Sequence, residues 1–133
     1  MSATTESLDI QASEDVVKVR QSVRARAAAL GFSLVDQTKM VTAASELARN
    51  TLEHGGGGTC EIEVLEQASR RGIRLTFEDR GPGIPDVRLA LTDGYSTGTG
   101  LGLGLSGSRR LVNEFDIRSR VGEGTRVTVV RWK

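Results

Sequence analysis

Hydrophobic and polar residues recur along the chain with two different periods, and the two periods predict different elements. From about Asp15 to Gly31, and again from about Asp36 to His54, apolar residues return every three or four positions, which is typical of amphipathic helices. Alternation at every second residue predicts strands over 60–64, 73–77, 115–121 and 125–132. Shorter helical segments are predicted over 87–91 and 105–113.

The order of these elements predicts one fold class. Two helices, two strands, a glycine-rich segment, a helix and a final strand pair are typical of an α/β (α+β) two-layer sandwich, in which helices cover one face of a mostly antiparallel sheet. The first twelve residues show no periodicity and are predicted to be a frayed or disordered end. The folded domain is therefore predicted to span residues 13–133.

Composition narrows the classes of function. The chain has 133 residues, which is the size of one domain, and its net charge of +1 disfavours a nucleic-acid partner. It has no apolar run of membrane-spanning length and does not begin like a signal peptide, so the sequence predicts a cytoplasmic protein without a membrane partner. With one cysteine, Cys60, and one histidine, His54, an internal disulfide and a zinc site of the usual kind are excluded.

Glu46 and Asn50 lie four residues apart on the second predicted helix, and therefore on one of its faces. An amide oxygen is a suitable ligand for Mg²⁺, and a nearby carboxylate can orient or deprotonate an attacking hydroxyl. The same spacing is equally typical of a solvated helix face. The pair alone leaves both interpretations open.

The segment Asp79-Arg-Gly-Pro-Gly directly follows the second predicted strand, which places Asp79 where the strand ends and the chain turns. A carboxylate at a strand end can accept a hydrogen bond from an exocyclic amine, and Gly81 and Gly83 would let the backbone pass close beneath a flat ring. The alternative is an aspartate-initiated turn stiffened by proline. The segment is thus a candidate nucleobase site.

Six glycines lie between Gly94 and Gly107, and residues 102–107 match the pattern G-x-G-x-x-G. A dinucleotide-binding motif is excluded because no strand precedes the match, and a Walker A loop because no Lys-Ser or Lys-Thr follows. Two interpretations remain for this segment: a phosphate-binding loop that leads into a helix N-terminus, and a simple flexible loop. A later segment, Gly122-Glu-Gly-Thr125, predicts a hairpin turn.

These four motifs occur in the order of the N, G1, G2 and G3 boxes of the GHKL (HATPase) ATP-binding superfamily, which the chain resembles over residues 13–133. Within it, the chain is similar to the RsbT-type serine/threonine-protein kinases, relatives of the anti-sigma-factor kinases RsbW and SpoIIAB. The strings that carry this resemblance are Ser45-Glu-Leu-Ala-Arg-Asn50, Glu78-Asp-Arg-Gly-Pro-Gly-Ile-Pro-Asp86, Asp93-Gly-Tyr-Ser-Thr97 and Gly122-Glu-Gly-Thr125.

The resemblance implies a Bergerat-type fold that binds ATP and Mg²⁺. It implies that Glu46 is the base, Asn50 the Mg²⁺ ligand, and Asp79 the partner of the adenine amine, with Thr125 assisting it. Gly81 and Gly83 would let the backbone pass the base. The residues implied to form a lid around the triphosphate are Gly98, Gly100, Gly102 and Gly104.

The resemblance implies a partner-switching kinase that phosphorylates Ser or Thr of STAS-domain antagonist proteins in a stress or sigma-factor pathway. The alternative is an ATP-dependent binding module that sequesters or activates a partner such as a PP2C-type phosphatase or a sigma factor. One departure matters: anti-sigma-factor kinases carry an arginine just before the G2 glycines, where this chain has Ser96 and Thr97. The contact to the γ-phosphate is therefore left unassigned.

Overall fold

The computed structural model describes residues 2–92 and 101–133, in which it shows five strands and four helices. The strands are β1 (Ser2–Ile10), β2 (Gly58–Gln67), β3 (Arg70–Asp79), β4 (Glu114–Arg120) and β5 (Gly124–Trp132). The helices are α1 (Ser13–Ala29), α2 (Leu34–Glu53), α3 (Val87–Ala90) and α4 (Leu101–Arg110).

The strands form one sheet in the order β1-β2-β3-β5-β4, and every pair of neighbours is antiparallel. The hairpins β2–β3 and β4–β5 are joined when β5 pairs with β3, so β5 lies inside the sheet and β4 at its edge. In this register Asp79 at the end of β3 faces Gly58 on one side and Thr125 on the other. The predicted antiparallel sheet is confirmed.

The helices cover the apolar face of this sheet. In β2, buried Cys60 and Ile62 alternate with exposed Glu61, and the buried residues join a single core with the apolar side chains of α1 and α2. Val23 of α1 and Leu47 of α2 contribute to that core and are almost completely buried. This arrangement confirms the predicted two-layer α/β sandwich.

The amino terminus differs from the expectation of a frayed end over residues 1–12. Residues 2–10 form the edge strand β1, in which Leu8 pairs with Cys60 and Ile10 is fully buried. Arg26 of α1 also donates to Glu6 over 3.1 Å. Leu8 and Ile10 are too few apolar residues to show a period, so the order of this strand comes from its pairing with β2.

Candidate nucleotide-binding site

A cavity opens between α2, the end of β3, the loop that follows β3, and the start of β5. It encloses about 100 Å³, which is less than the roughly 300–1,000 Å³ of sites that enclose a whole ligand, so its walls fit one end of a nucleotide. Its polar wall residues are Asn50, Thr51, His54, Asp79 and Thr125, and its apolar ones include Leu47, Phe77, Ile84, Leu105 and Val127. Asn50, Asp79, Gly83 and Thr125 were predicted from the sequence, and the structure brings them together here.

Asp79 is held at the end of β3 with its carboxylate at the cavity. The Gly81 amide donates to its Oδ1 over 2.9 Å. Burial raises the pKa of the Asp79 carboxyl above its ordinary value, and the backbone amides of Gly81 and Thr125 act in the opposite direction. A partly desolvated carboxylate of this kind gains from a ligand that donates a hydrogen bond to it.

Asn50 lies on α2, where its side-chain Nδ2 is buried and has no hydrogen-bond partner among the described residues. An unpaired buried amide costs stability, which is commonly tolerated where a ligand completes its bonding. Thr51, the next residue, is satisfied within the helix by donating to the carbonyl oxygen of Leu47 over 3.0 Å. Asn50 is thus the polar group of α2 that is available to a ligand in this cavity.

Glu46 lies one turn before Asn50, as its spacing predicts, but it is not part of the cavity wall. Its Oε1 instead accepts from Nη1 of Arg49 over 3.0 Å, and 38% of its side chain is exposed. The structure therefore places Glu46 at the margin of the site, paired with a cation.

The glycines of the site allow backbone segments to approach one another. A Cβ at Gly81 would lie 2.7 Å from the Cα of Gly55, and Gly55 itself packs against the carboxyl group of Asp79. Gly83 has φ +77° and lies against the carbonyl oxygen of Arg120. Side chains at these positions would separate the segments that position Asp79. This also explains why the first residue of the tetraglycine after His54 is Gly55.

The predicted lid falls only partly within the described chain. Gly98 and Gly100 lie outside the described residues. Gly102 and Gly104 belong to the opening turns of α4, which begins at Leu101 rather than at residue 105 as predicted from the sequence. These two glycines are therefore helical, and the loop expected at their positions is corrected.

The β4–β5 turn locks the loop after β3 in place. The Gly122 amide donates to the carbonyl oxygen of Pro82 over 2.8 Å. Ser119 accepts from the Ile84 amide over 2.7 Å, and its hydroxyl lies 2.8 Å from that of Thr125. Ser119 was not predicted as a site residue, because it occupies an ordinary position in an alternating strand.

His54 and Gly55 also line the cavity, although they were not predicted to be site residues. The backbone amides of both donate to the carbonyl oxygen of Asn50, over 3.0 and 3.2 Å, so the end of α2 leads directly into the site. The position of His54 one turn beyond Asn50 was the available sequence signal, because residues four apart share a helix face. In the described part of the chain, no three His, Cys, Asp or Glu side chains gather as a metal-holding group.

Residues 35–133 match the family model of histidine kinase-, DNA gyrase B- and HSP90-like ATPases. The chain is 46% identical over 118 residues to the serine/threonine-protein kinase RsbT of Bacillus subtilis, with 89% of each chain covered. It is 30% identical over 119 residues to the anti-sigma F factor of Anoxybacillus flavithermus, with 84% of this chain and 80% of the relative covered.

Solved structures share the fold at lower identity. The RsbU and RsbW domains of a Mycobacterium tuberculosis protein superpose with a TM-score of 0.65 at 21% identity, covering 98% of this chain and 33% of that one. The mycobacterial sensor histidine kinase MprB gives a TM-score of 0.58 at 17% identity, with 97% of each chain covered. Across residues 2–92 and 101–133, no helix combines the length and apolarity needed to span a membrane.

The predicted resemblance is confirmed by the family model and by the relatives together. The family model covers the helix that carries Asn50, the strand end that carries Asp79 and the hairpin that carries Thr125. This chain belongs to the histidine kinase-, DNA gyrase B- and HSP90-like ATPase family, in which RsbT and the anti-sigma F factors are its relatives.

Proposed function

We propose that the chain is a cytoplasmic partner-switching protein kinase, which transfers the γ-phosphoryl group of ATP to a serine or threonine of a STAS-domain antagonist in a stress or sigma-factor pathway. The observation that carries the proposal is one cavity in which the Asp79 carboxylate and the unpaired Asn50 amide meet. The 46% identical relative named a serine/threonine-protein kinase supports the same chemistry.

The adenine end of ATP is assigned to the cavity wall at Asp79. The exocyclic amine of adenine donates to the carboxylate, which already accepts from Gly81. Apolar residues around it, including Phe77 and Ile84, shield the base from water. Because burial has already removed part of the water around Asp79, the bond to the amine displaces less solvation than it would at an exposed carboxylate.

Asn50 fits a magnesium ion that arrives with the nucleotide. Mg²⁺ is usually held by one or two protein ligands together with phosphate oxygens and water, so a dedicated cluster of carboxylates is not needed. Asn50 lines the cavity with its Nδ2 atom unpaired, and the oxygen of the same side-chain amide can serve as the protein ligand. When bound, the ion would neutralise charge on the triphosphate. Asn50 therefore positions the phosphate end of ATP.

Glu46 is assigned the role of the base that takes the proton from the acceptor hydroxyl. The serine or threonine oxygen forms a bond to the γ-phosphorus, the bond from that phosphorus to the β–γ bridging oxygen breaks, and ADP leaves with that electron pair. The hydroxyl proton passes to Glu46. Arg49 occupies Oε1, so Oε2 can accept the proton. Gly98 and Gly100 are proposed to contact the triphosphate, together with the amino-terminal end of α4, which carries Gly102 and Gly104.

A second function is favoured by the position of Glu46. Because this carboxylate is paired with Arg49 and does not line the cavity, a chain that binds ATP without transferring phosphate would have the same arrangement. Such a module would hold or activate a phosphatase or a sigma factor when ATP is bound.

Incubation with γ-labelled ATP and STAS-domain proteins from the same genome separates the two functions. We expect the label to appear on a serine or threonine of one STAS protein with the parent chain, and far more slowly with Glu46→Gln. Glu53→Gln removes an exposed carboxylate from the end of the same helix and serves as the matched control. Capture of a partner that depends on ATP but transfers no label would instead establish the binding module.

A further inference from the structure

We propose that Ser119 determines which nucleobase the cavity accepts, because it fixes the hydrogen-bonding direction of Thr125. Ser119 is in β4 and is not part of the cavity wall, whereas Thr125 lines the cavity beside Asp79. Ser119 is thus a positioning residue that acts through its neighbour. The inference rests on the proposed function, since it takes the nucleobase to lie against Asp79.

Three contacts surround the Ser119 hydroxyl. The Ile84 amide lies 2.7 Å from its Oγ, the carbonyl oxygen of Gly124 lies 3.1 Å away, and the hydroxyl oxygen of Thr125 lies 2.8 Å away. All three are within hydrogen-bonding distance. They come from the loop after β3 and from the start of β5, so one hydroxyl joins two walls of the cavity.

The direction of each bond follows from what the groups can do. A serine hydroxyl has one proton to donate and two lone pairs that accept. The Ile84 amide is only a donor and the Gly124 carbonyl only an acceptor, so Ser119 accepts from the first and donates to the second. Its remaining capacity is to accept, and Thr125 must therefore donate its proton to Ser119.

Because its proton is donated to Ser119, the Thr125 hydroxyl can only accept hydrogen bonds from a ligand. The ionised Asp79 carboxylate likewise only accepts, so the two side chains present an end of the cavity that accepts hydrogen bonds and donates none. Adenine carries an amine where guanine carries a carbonyl oxygen. The adenine amine can donate hydrogen bonds to these accepting oxygens. The guanine carbonyl oxygen, itself an acceptor, would meet only other acceptors, and binding sites reject such a mismatch strongly.

Removal of the Ser119 hydroxyl should release the Thr125 proton. In Ser119→Ala, Thr125 can turn its hydroxyl toward the ligand and donate to a guanine oxygen. We expect GTP to bind about five- to ten-fold more tightly than it binds the parent, and the preference for ATP over GTP to fall by at least this factor. A gain in GTP affinity is informative because a merely loosened fold weakens both nucleotides.

The experiment is calorimetric titration of ATP and GTP into the parent, Ser119→Ala, and the double variant Ser119→Ala with Thr125→Val. The double variant has no hydroxyl left to donate, so the gain in GTP binding should disappear. Ser119→Thr keeps a hydroxyl and should restore the parental preference. Ser22→Ala removes a hydroxyl that lies 3.4 Å from Glu6, on α1, and is the matched control. If Ser119→Ala does not fold, Ser119→Cys, whose thiol bonds weakly, should shift the preference in the same direction.

An unchanged preference for ATP in folded Ser119→Ala overturns the inference, as does a gain in GTP binding that survives Thr125→Val. Both results leave the proposed function intact as long as the parent binds ATP and Asp79→Asn weakens it. A parent chain that binds neither nucleotide would overturn the proposed function itself.

Discussion

Asp79→Asn should weaken ATP binding and at the same time stabilise the protein without nucleotide. The substitution keeps an oxygen that can accept from the Gly81 amide, which lies 2.9 Å from Oδ1, but it removes the negative charge. That charge strengthens the proposed bond to the adenine amine, yet it is also partly buried when the cavity is empty. The two effects have opposite signs and can be measured separately.

A hydrogen bond to a charged group contributes about 1.5 to 3 kcal/mol, so the loss of charge should weaken ATP by roughly ten-fold or more. The effect on stability follows from the raised pKa of the Asp79 carboxyl. As pH rises above the ordinary carboxyl value of 3.8, the unfolded chain releases this proton before the folded chain does. The folded state then binds more protons, so its stability falls with pH. Asparagine does not titrate in this range, so the Asp79→Asn variant does not lose stability with pH in this way.

The assays are calorimetric titration with ATP-Mg²⁺ and urea unfolding of the nucleotide-free protein from pH 4 to pH 8. We expect the free energy of unfolding of Asp79→Asn to exceed that of the parent by an amount that grows as pH rises from about 4 and then stays constant. Asp116→Asn, which changes an exposed carboxylate paired with Arg118, should show neither effect. Equal affinity of parent and Asp79→Asn for ATP would refute the role of this carboxylate, and a variant less stable at pH 8 would refute the account of its burial.

Glu46→Gln should bind ATP-Mg²⁺ like the parent in calorimetry yet transfer phosphate about 10² to 10⁴ times more slowly, whereas Asn50→Ala should lose Mg²⁺-dependent binding as well. Equal transfer rates would remove Glu46 as the base. Gly55→Ala should weaken ATP about ten-fold or more, because its Cβ would displace the Asp79 carboxyl, and Gly107→Ala, which has open space around it, should not. Burial raises the pKa of the Cys60 thiol to about 12, so iodoacetamide at pH 8 should label it only after unfolding in urea.

The sequence predicted those parts of the fold that local patterns determine. The spacing of apolar residues predicted helix α2 and the two hairpins. The end of β3 at Asp79 was predicted because the alternation of apolar and polar residues stops there. Their meeting in one cavity was implied only by the resemblance, since it depends on the pairing of β3 with β5. Elements that carry their own apolar period are thus visible before tertiary structure is known.

The features that sequence analysis missed depend on distant partners. Strand β1 has only two large apolar residues, Leu8 and Ile10. It is ordered by pairing with the distant strand β2, from Ile10 opposite Gly58 to Ser2 opposite Leu65. Gly55 was visible as a helix stop, but its contact with Asp79 exists only after β2 and β3 have paired. Ser119 bonds to Ile84 across 35 residues, and no local pattern marks a hydroxyl that will do so.

The place of β5 within the sheet has a consequence for synthesis of the chain. Strands β1, β2 and β3 can pair as soon as they leave the ribosome, but β5, the strand nearest the carboxyl terminus, must then pair with β3 and β4 together. It brings Thr125 to Asp79, so a nascent chain that has not yet exposed β5 holds an incomplete wall. Under the proposed function, a nascent chain therefore completes its nucleotide site only once β5 has emerged and paired with β3.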